Sequence, residues 1–189
     1  MKLQLLTKKS FALIVIACAS FTGTALRAAD DDETALLAQL KQSKHSLADG
    51  VAQAEKENGA GISAKFEMEG ETLMLSVYTA KAGPNADAEH NTLIELNGDA
   101  TKSAWTPGTE VFEDKKHLTR SAMQLTLVQA SKVSLSDAIN HARSAQAGTV
   151  YSVIPAVKDG APVYQVKVAT ADGKSVHVTV DGTTGKVTR

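Results

Sequence analysis

Histidine has the widest chemical range of the residues in this chain, because it can bind a metal or act as a general acid and base. The chain has five histidines: His45, His90, His117, His141 and His177. None has the His-Glu-x-x-His spacing of zinc peptidases or lies beside paired cysteines. Asp137 and His141 are four residues apart and could meet on one helical face, where a polar surface pair is the expected role. The sequence therefore predicts no metal site and no cofactor.

Nucleophilic chemistry has little support either. The single cysteine, Cys18, lies in the N-terminal apolar segment. The sequence lacks the Gly-x-Ser-x-Gly elbow, the Walker loop and the dinucleotide-binding glycine pattern. A hydrolase would need Ser, His and Asp residues that converge from distant positions. We therefore predict no catalytic residues, and we expect the carboxylates of residues 30–33 to be a solvated terminus.

The N-terminal segment has the order of a secretory signal peptide. Lys2, Lys8 and Lys9 precede the apolar residues 11–19, and small or polar residues follow up to Ala25. We predict a signal peptide over residues 1–25 and a mature protein in the periplasm or outside the cell. The alternative is a lipoprotein, since Val15-Ile16-Ala17-Cys18 resembles a lipobox whose cysteine is acylated. A membrane association is expected only if Cys18 is lipidated.

Charge and composition exclude two further classes of protein. The chain has 189 residues, 43% of them hydrophobic, and a formal net charge of −1. It is therefore too apolar for a disordered tail and lacks the basic excess of a nucleic-acid-binding protein. Cleavage after Ala25 removes three of the 20 basic residues and none of the 21 acidic ones, which leaves a net charge of −4.

An internal repeat organises the remainder of the chain. Residues 37–54 align without a gap to residues 125–142, with seven identical pairs that include Ser46/Ser134, Leu47/Leu135 and Asp49/Asp137. In each copy the apolar residues follow a helical period, Ser stands at the expected N-cap and Asp lies in the first turn. The segment before the second helix is compatible with a helix, although residues 125–128 would also suit a strand.

Strict alternation in residues 164–168 and 176–180 predicts two strands, joined by a turn at Asp172-Gly173. The first copy has comparable short apolar runs. We therefore predict an α+β fold of two tandem units, each an α-helix packed on a three- to four-stranded antiparallel sheet. The predicted boundaries are residues 31–101 for the first unit, 102–117 for a linker without clear period, and 118–189 for the second unit.

The second copy resembles the PepSY domain family. The resemblance is carried by residues 134–139, 160–168, 172–173 and 178–187, and most specifically by the ending Asp-x-x-x-Gly-Lys-Val from Asp181 to Val187. It is weaker over residues 46–101, where the Gly-Lys-Val ending is missing. The resemblance implies a secreted or envelope protein, an association with holding metallopeptidase precursors inactive, and no general catalytic residues.

The predicted function is therefore a non-enzymatic exported protein that binds another envelope protein, such as a peptidase, and regulates or inhibits it. The alternative is a periplasmic module that binds a small molecule, a metal or a cell-wall ligand. Trp105 and Tyr164 are the candidate interface residues. For Trp105 the competing role is packing between the units, and for Tyr164 it is packing at the edge of the core.

Overall fold

A computed structural model describes residues 32–189; the predicted signal peptide and Cys18 lie outside the described residues. The helices are α1 (residues 32–39, continued by a 3-10 turn over Leu40–Gln42), α2 (Leu47–Asn58), α3 (Lys115–Ala130) and α4 (Leu135–Ala145), with a short 3-10 turn at Ala88–His90. The strands are β1 (Ala60–Glu69), β2 (Thr72–Ala80), β3 (Leu93–Asp99), β4 (Gly108–Val111), β5 (Thr149–Lys158), β6 (Ala161–Ala169), β7 (Ser175–Asp181) and β8 (Val187–Thr188). Within residues 32–189, no helix combines the length and the apolar character that a membrane span requires.

All eight strands form one antiparallel sheet in the order β4-β3-β2-β1-β5-β6-β7-β8. The predicted α+β class is confirmed, but the two halves share a sheet instead of forming one sheet each. The junction is short: β1 and β5 pair through Ala64 with Val153 and Lys65 with Ser152. The halves are therefore joined edge to edge at the centre of the sheet.

The two halves have the same strand register. Val77 of β2 pairs with Leu96 of β3, and the corresponding pair in the second half is Val166 with Val178. Each half also has one irregularity in its first strand, between Gly61 and Ser63 in β1 and between Val150 and Ser152 in β5. The repeat found in the sequence is thus reproduced by the strands, including those where few residues are identical.

The repeated Ser and Asp residues are helix caps, as expected. Ser46 accepts a hydrogen bond from the backbone N–H of Asp49 at 3.1 Å, and Asp49 accepts one from the backbone N–H of Ser46 at 3.0 Å. Ser134 accepts the backbone N–H of Asp137 at 3.1 Å in the same way. These hydrogen bonds satisfy donors that a helix start leaves free, which explains both residue types without a catalytic role.

The main hydrophobic core lies between the sheet and the helices α2 and α4, and it crosses the boundary between the halves. Leu47 and Val51 of α2 share this cluster with Leu135 and Ile139 of α4. Helix α3 packs across β1, β3, β5 and β6. Its Leu125 forms a second cluster with residues of the first half, namely Ile62, Ala80, Leu93 and Phe112. Each half therefore depends on the other for part of its packing.

The segment 102–117 contains more regular structure than its lack of a hydrophobic period indicates. It contains β4, which pairs with β3 from Asn97/Gly108 to Ile94/Val111, and the first residues of α3. Helix α3 includes residues 125–128. Of the two alternatives for these residues, helix and strand, the helix is therefore correct.

Candidate functional site

On the face of the sheet opposite α2 and α4, helix α3 packs against part of β5 and β6, and the rest of β5, β6 and β7 is open beside it. Side chains alternate along these strands, so the buried residues Val153, Val166 and Val178 point into the core and their neighbours point the other way. A shallow hollow on this outer face is lined by Ser152, Ile154, Gln165, Lys167, His177 and Thr179. His177 is exposed, as its alternation with Val176 and Val178 predicts.

A second hollow adjoins the first at Ile154. It is lined by Ser63, Lys65, Tyr78, Arg120, Gln124 and Ile154, so that helix α3 forms one side. Ser63 donates a hydrogen bond to Gln124 at 2.9 Å and thereby fixes α3 against β1. Ile154 is 37% exposed between the two hollows. We call the two hollows together the sheet groove, and it is our candidate functional site.

The corresponding surface of the first half is closed. Tyr78 and Lys167 hold the same register position, since Tyr78 pairs with Ser63 and Lys167 with Ser152, the residues that follow the two irregularities. Phe112 is 4% exposed and stacks on Tyr78, with ring centroids 5.6 Å apart. The Nζ of Lys167 instead lies 5.9 Å from the centroid of the buried Tyr151 ring, and its side chain is 39% exposed. The two halves therefore differ at this position, where an aromatic ring covers the first half and the second half is open to solvent.

Two lysines of the sheet groove are paired with carboxylates. Lys65 bonds Glu67, whose other oxygen accepts a hydrogen bond from Ser76 at 2.7 Å. Lys167 donates to Glu33 at 2.8 Å. The guanidinium of Arg120 and the imidazole of His177, by contrast, make no hydrogen bond or ion pair within residues 32–189.

Glu33 fixes the start of α1 to the second half. Its Oε1 accepts hydrogen bonds from Lys167 and from the Tyr151 hydroxyl, the latter at 2.6 Å, and the Tyr151 oxygen also lies 2.6 Å from Ser175 Oγ. The hydrogen bonds from Lys167 and Tyr151 hold the pKa of Glu33 below its ordinary value. Burial, and then the hydrogen bond to Glu33, raise the pKa of Tyr151. The expectation that residues 30–33 form a solvated terminus is therefore wrong for Glu33, because its carboxylate has two partners.

Replacing Glu33 with Gln is expected to destabilise the protein by about 1 kcal/mol at neutral pH, because the amide loses the ion pair with Lys167. Since the folded protein lowers the pKa of Glu33 from 4.5, this stabilisation is present above that value and is lost as pH falls through the folded pKa. Urea midpoints at pH 7 and at about pH 3.5 test this. The difference between wild type and Glu33→Gln should shrink at the lower pH, whereas exposed Glu71→Gln should have little effect at either. If the midpoints of wild type and Glu33→Gln differed as much at the lower pH as at pH 7, the ion pair between Glu33 and Lys167 would not be the cause of the difference.

The family-like ending of the second half is a folding element. The Asp181 carboxylate accepts the backbone N–H groups of Thr183 at 2.9 Å and Thr184 at 2.7 Å. The Gly182 carbonyl accepts the N–H groups of Lys132 and Val133 at 2.8 and 3.0 Å, which ties the turn to the segment before α4. These contacts give the motif a structural reason for its residue types.

The first half repeats these contacts without the Gly-Lys-Val ending. Asp99 accepts the N–H of Thr101 at 2.9 Å, and the Ala100 carbonyl accepts the N–H of Lys44, also at 2.9 Å. Lys44 and Lys132 are an identical pair of the sequence repeat. The missing ending therefore leaves this turn intact.

The two predicted interface residues are in the interior. Trp105 is 3% exposed and its indole N–H donates to the Gly98 carbonyl at 3.3 Å. Tyr164 is 0% exposed and donates to the Val133 carbonyl at 2.7 Å. A partner could reach neither ring while the protein stays folded. This placement fits the alternative roles, which are packing between the units for Trp105 and packing in the core for Tyr164.

The histidines are not brought together. His141 lies over Gly185, where an added Cβ would be 2.6 Å from its Nε2, and Asp137 accepts a hydrogen bond from Ser134 at 2.7 Å. Among residues 32–189 there is no group of three His, Cys, Asp or Glu side chains that could hold a metal ion.

Sequence reasoning missed Arg120, Ile154, Lys167 and Glu33 as site residues. The alternation of β5 and β6 indicates that Ile154 and Lys167 point away from the core. No sequence pattern indicates that α1 and α3 flank them.

These observations describe an α+β protein whose two halves repeat one strand arrangement, with one half of the outer sheet face open. Residues 132–189 match the family model described as "Peptidase propeptide and YPEB domain", or PepSY. This part of the chain is a PepSY domain, which confirms the resemblance of the second copy. That the first half is a second PepSY copy stays a prediction.

No curated protein matches the chain. Among solved structures, a crystal structure of a "putative lipoprotein" from Clostridium difficile 630 aligns with 78% of this chain and 92% of its own length, at 16% identity and a TM-score of 0.40. PepSY domains are usually extracytoplasmic and typically non-catalytic, and no catalytic family is indicated.

Proposed function

We propose that this protein is exported to the periplasm or the cell exterior, has no catalytic activity and binds an envelope peptidase whose activity it restrains. One observation carries the proposal: the half that matches a peptidase-propeptide family is also the half whose sheet face is open. An inhibitory domain must present a surface to the enzyme, and the open face is available without any rearrangement of the core.

The chemistry of the open face also supports binding. Ile154 provides an apolar centre, and Gln165, Lys167 and His177 provide polar groups around it. An apolar centre with a polar surround is the usual anatomy of a protein interface.

The test is inhibition of purified peptidases by the purified mature protein. We expect a concentration-dependent loss of hydrolysis with a secreted zinc metallopeptidase of the thermolysin type, and no effect on serine or cysteine peptidases. Ile154→Asp should weaken inhibition at least about tenfold, because it places a charge at the apolar centre. Val111→Asp is the matched control, since Val111 is 50% exposed on β4 at one edge of the sheet. Unchanged hydrolysis across the panel, with no complex in gel filtration, would count against the proposal.

A further inference from the structure

The sheet groove differs in charge from the protein around it. Its lining includes Lys65, Arg120 and Lys167, and the carboxylates of Glu67 and Glu33 beside it are bonded to the two lysines. The whole chain, by contrast, has a net charge of −1. Since both lysines are paired, Arg120 gives the groove a positive charge that is unpaired within residues 32–189, in a protein of net negative charge. This charge favours an anionic group on the partner, since complementary charge steers association and selects the partner.

Arg120 is the cation of the groove that remains available. Lys65 and Lys167 already hold Glu67 and Glu33, whereas Arg120 is exposed and has no hydrogen-bond or ion-pair partner among residues 32–189. A guanidinium presents parallel N–H donors that match the two oxygens of a carboxylate. Arg120 can therefore donate hydrogen bonds to a carboxylate of the partner without first losing a hydrogen bond or ion pair within residues 32–189 of the protein.

The shape of the groove suits an extended chain. Its floor consists of neighbouring strands about 4.8 Å apart, and both hollows are shallow and open on either side of Ile154. Along an extended segment, alternate side chains lie on one side at intervals of about 7 Å. Such a segment can place one carboxylate at Arg120 and an apolar side chain on Ile154.

We propose that the sheet groove binds an extended acidic segment of the partner protein, with a carboxylate paired to Arg120 and an apolar side chain against Ile154. This inference rests on the proposed function, since it names the chemistry that the same surface recognises. A second copy of this chain and an anionic membrane surface are the competing occupants.

The test uses fluorescence anisotropy with a labelled peptide of about ten residues, in which Glu alternates with Thr around a central Leu. Its counterpart has Gln in place of every Glu. The mature protein should bind the Glu peptide at least about tenfold more tightly than the Gln peptide, and added salt should narrow the difference. Arg120→Glu should weaken the binding of the Glu peptide at least about tenfold, and Arg120→Gln should weaken it less.

Lys56→Glu is the matched control, because Lys56 is an exposed cation on α2, on the other side of the sheet. It should change the affinity by less than about twofold. Equal affinity for the Glu and Gln peptides would overturn the inference, as would equal effects of Arg120→Glu and Lys56→Glu. So would Arg120-dependent binding to phosphatidylglycerol vesicles without peptide binding, or Arg120-dependent dimers in sedimentation that exclude the peptide.

The two proposals fail in different ways. If the Glu peptide binds through Arg120 but no peptidase is restrained, the groove inference stands and the proposed function fails. If Arg120→Glu restrains a peptidase as well as wild type does and the Glu peptide does not bind, the proposed function stands and the inference fails.

Discussion

Residues 132–189, produced without the rest of the chain, are expected to remain largely unfolded in water. The PepSY half contributes Leu135 and Ile139 to a core cluster that also contains Leu47 and Val51 of the first half. Without the first half, these side chains and the β1 edge of β5 would be exposed to water. A domain of this size seldom has more than about 3–5 kcal/mol of stability from its own core, so this exposure exceeds what it can tolerate.

Far-UV circular dichroism of the separated halves measures this directly. We expect little ordered signal from residues 132–189 alone and recovery of the native spectrum when residues 32–131 are added. The matched control is the full chain cut between Pro84 and Asn85, which are exposed in the connection between β2 and β3. That cut should leave the spectrum unchanged. A cooperative urea transition for residues 132–189 alone, with the midpoint of the intact protein, would show that the halves are independent.

The elements with strong local patterns could be predicted from the sequence. The alternation in residues 164–168 and 176–180 corresponds to β6 and β7, and Ser46 and Ser134 cap the helices that their positions indicate. In these cases each residue type is explained by contacts within its own element or with the next one. For these elements, the periodic pattern of apolar residues is therefore enough to predict the secondary structure.

No comparable sequence pattern predicts the junction between the two halves. Only two residue pairs join β1 to β5, and β4 is exposed throughout, so its sequence has no buried alternation. Whether two repeated units share a sheet or pack face to face depends on contacts between distant residues.

The candidate site is difficult to predict for the same reason. Arg120, Ile154 and Lys167 come from three different elements. Glu33 of α1 is bonded to Lys167, although the two residues are far apart in the sequence. Trp105 shows the opposite case. Its position beside Pro107-Gly108 leaves both an exposed anchor and packing between the units open, and the ring lies in the interior with its N–H bonded to the Gly98 carbonyl.

Gly148→Ala is expected to destabilise the protein by about 3–5 kcal/mol, a large effect for the addition of one methyl group. Gly148 joins α4 to β5 with φ +141, and an added Cβ would lie 2.3 Å from the Ala169 carbonyl oxygen. That oxygen belongs to the backbone of β6, so the contact cannot be relieved by turning a side chain. Gly59 holds the corresponding place in the first half, where the Cβ would lie 2.4 Å from the Ala80 carbonyl oxygen.

Gly160→Ala separates this clash from simple backbone strain. Gly160 also has a positive φ, +78, but no atom lies within 4 Å of its added Cβ. It should therefore cost only about 1–2 kcal/mol, the strain of a left-handed alanine. Urea unfolding of both variants at neutral pH measures the difference, and Gly148→Ala should also lower the melting temperature by roughly 10 °C. Equal midpoints for the two variants would mean that β5 and β6 separate easily at this end, and the tight junction between helix and strand would then not be what holds the PepSY half in register.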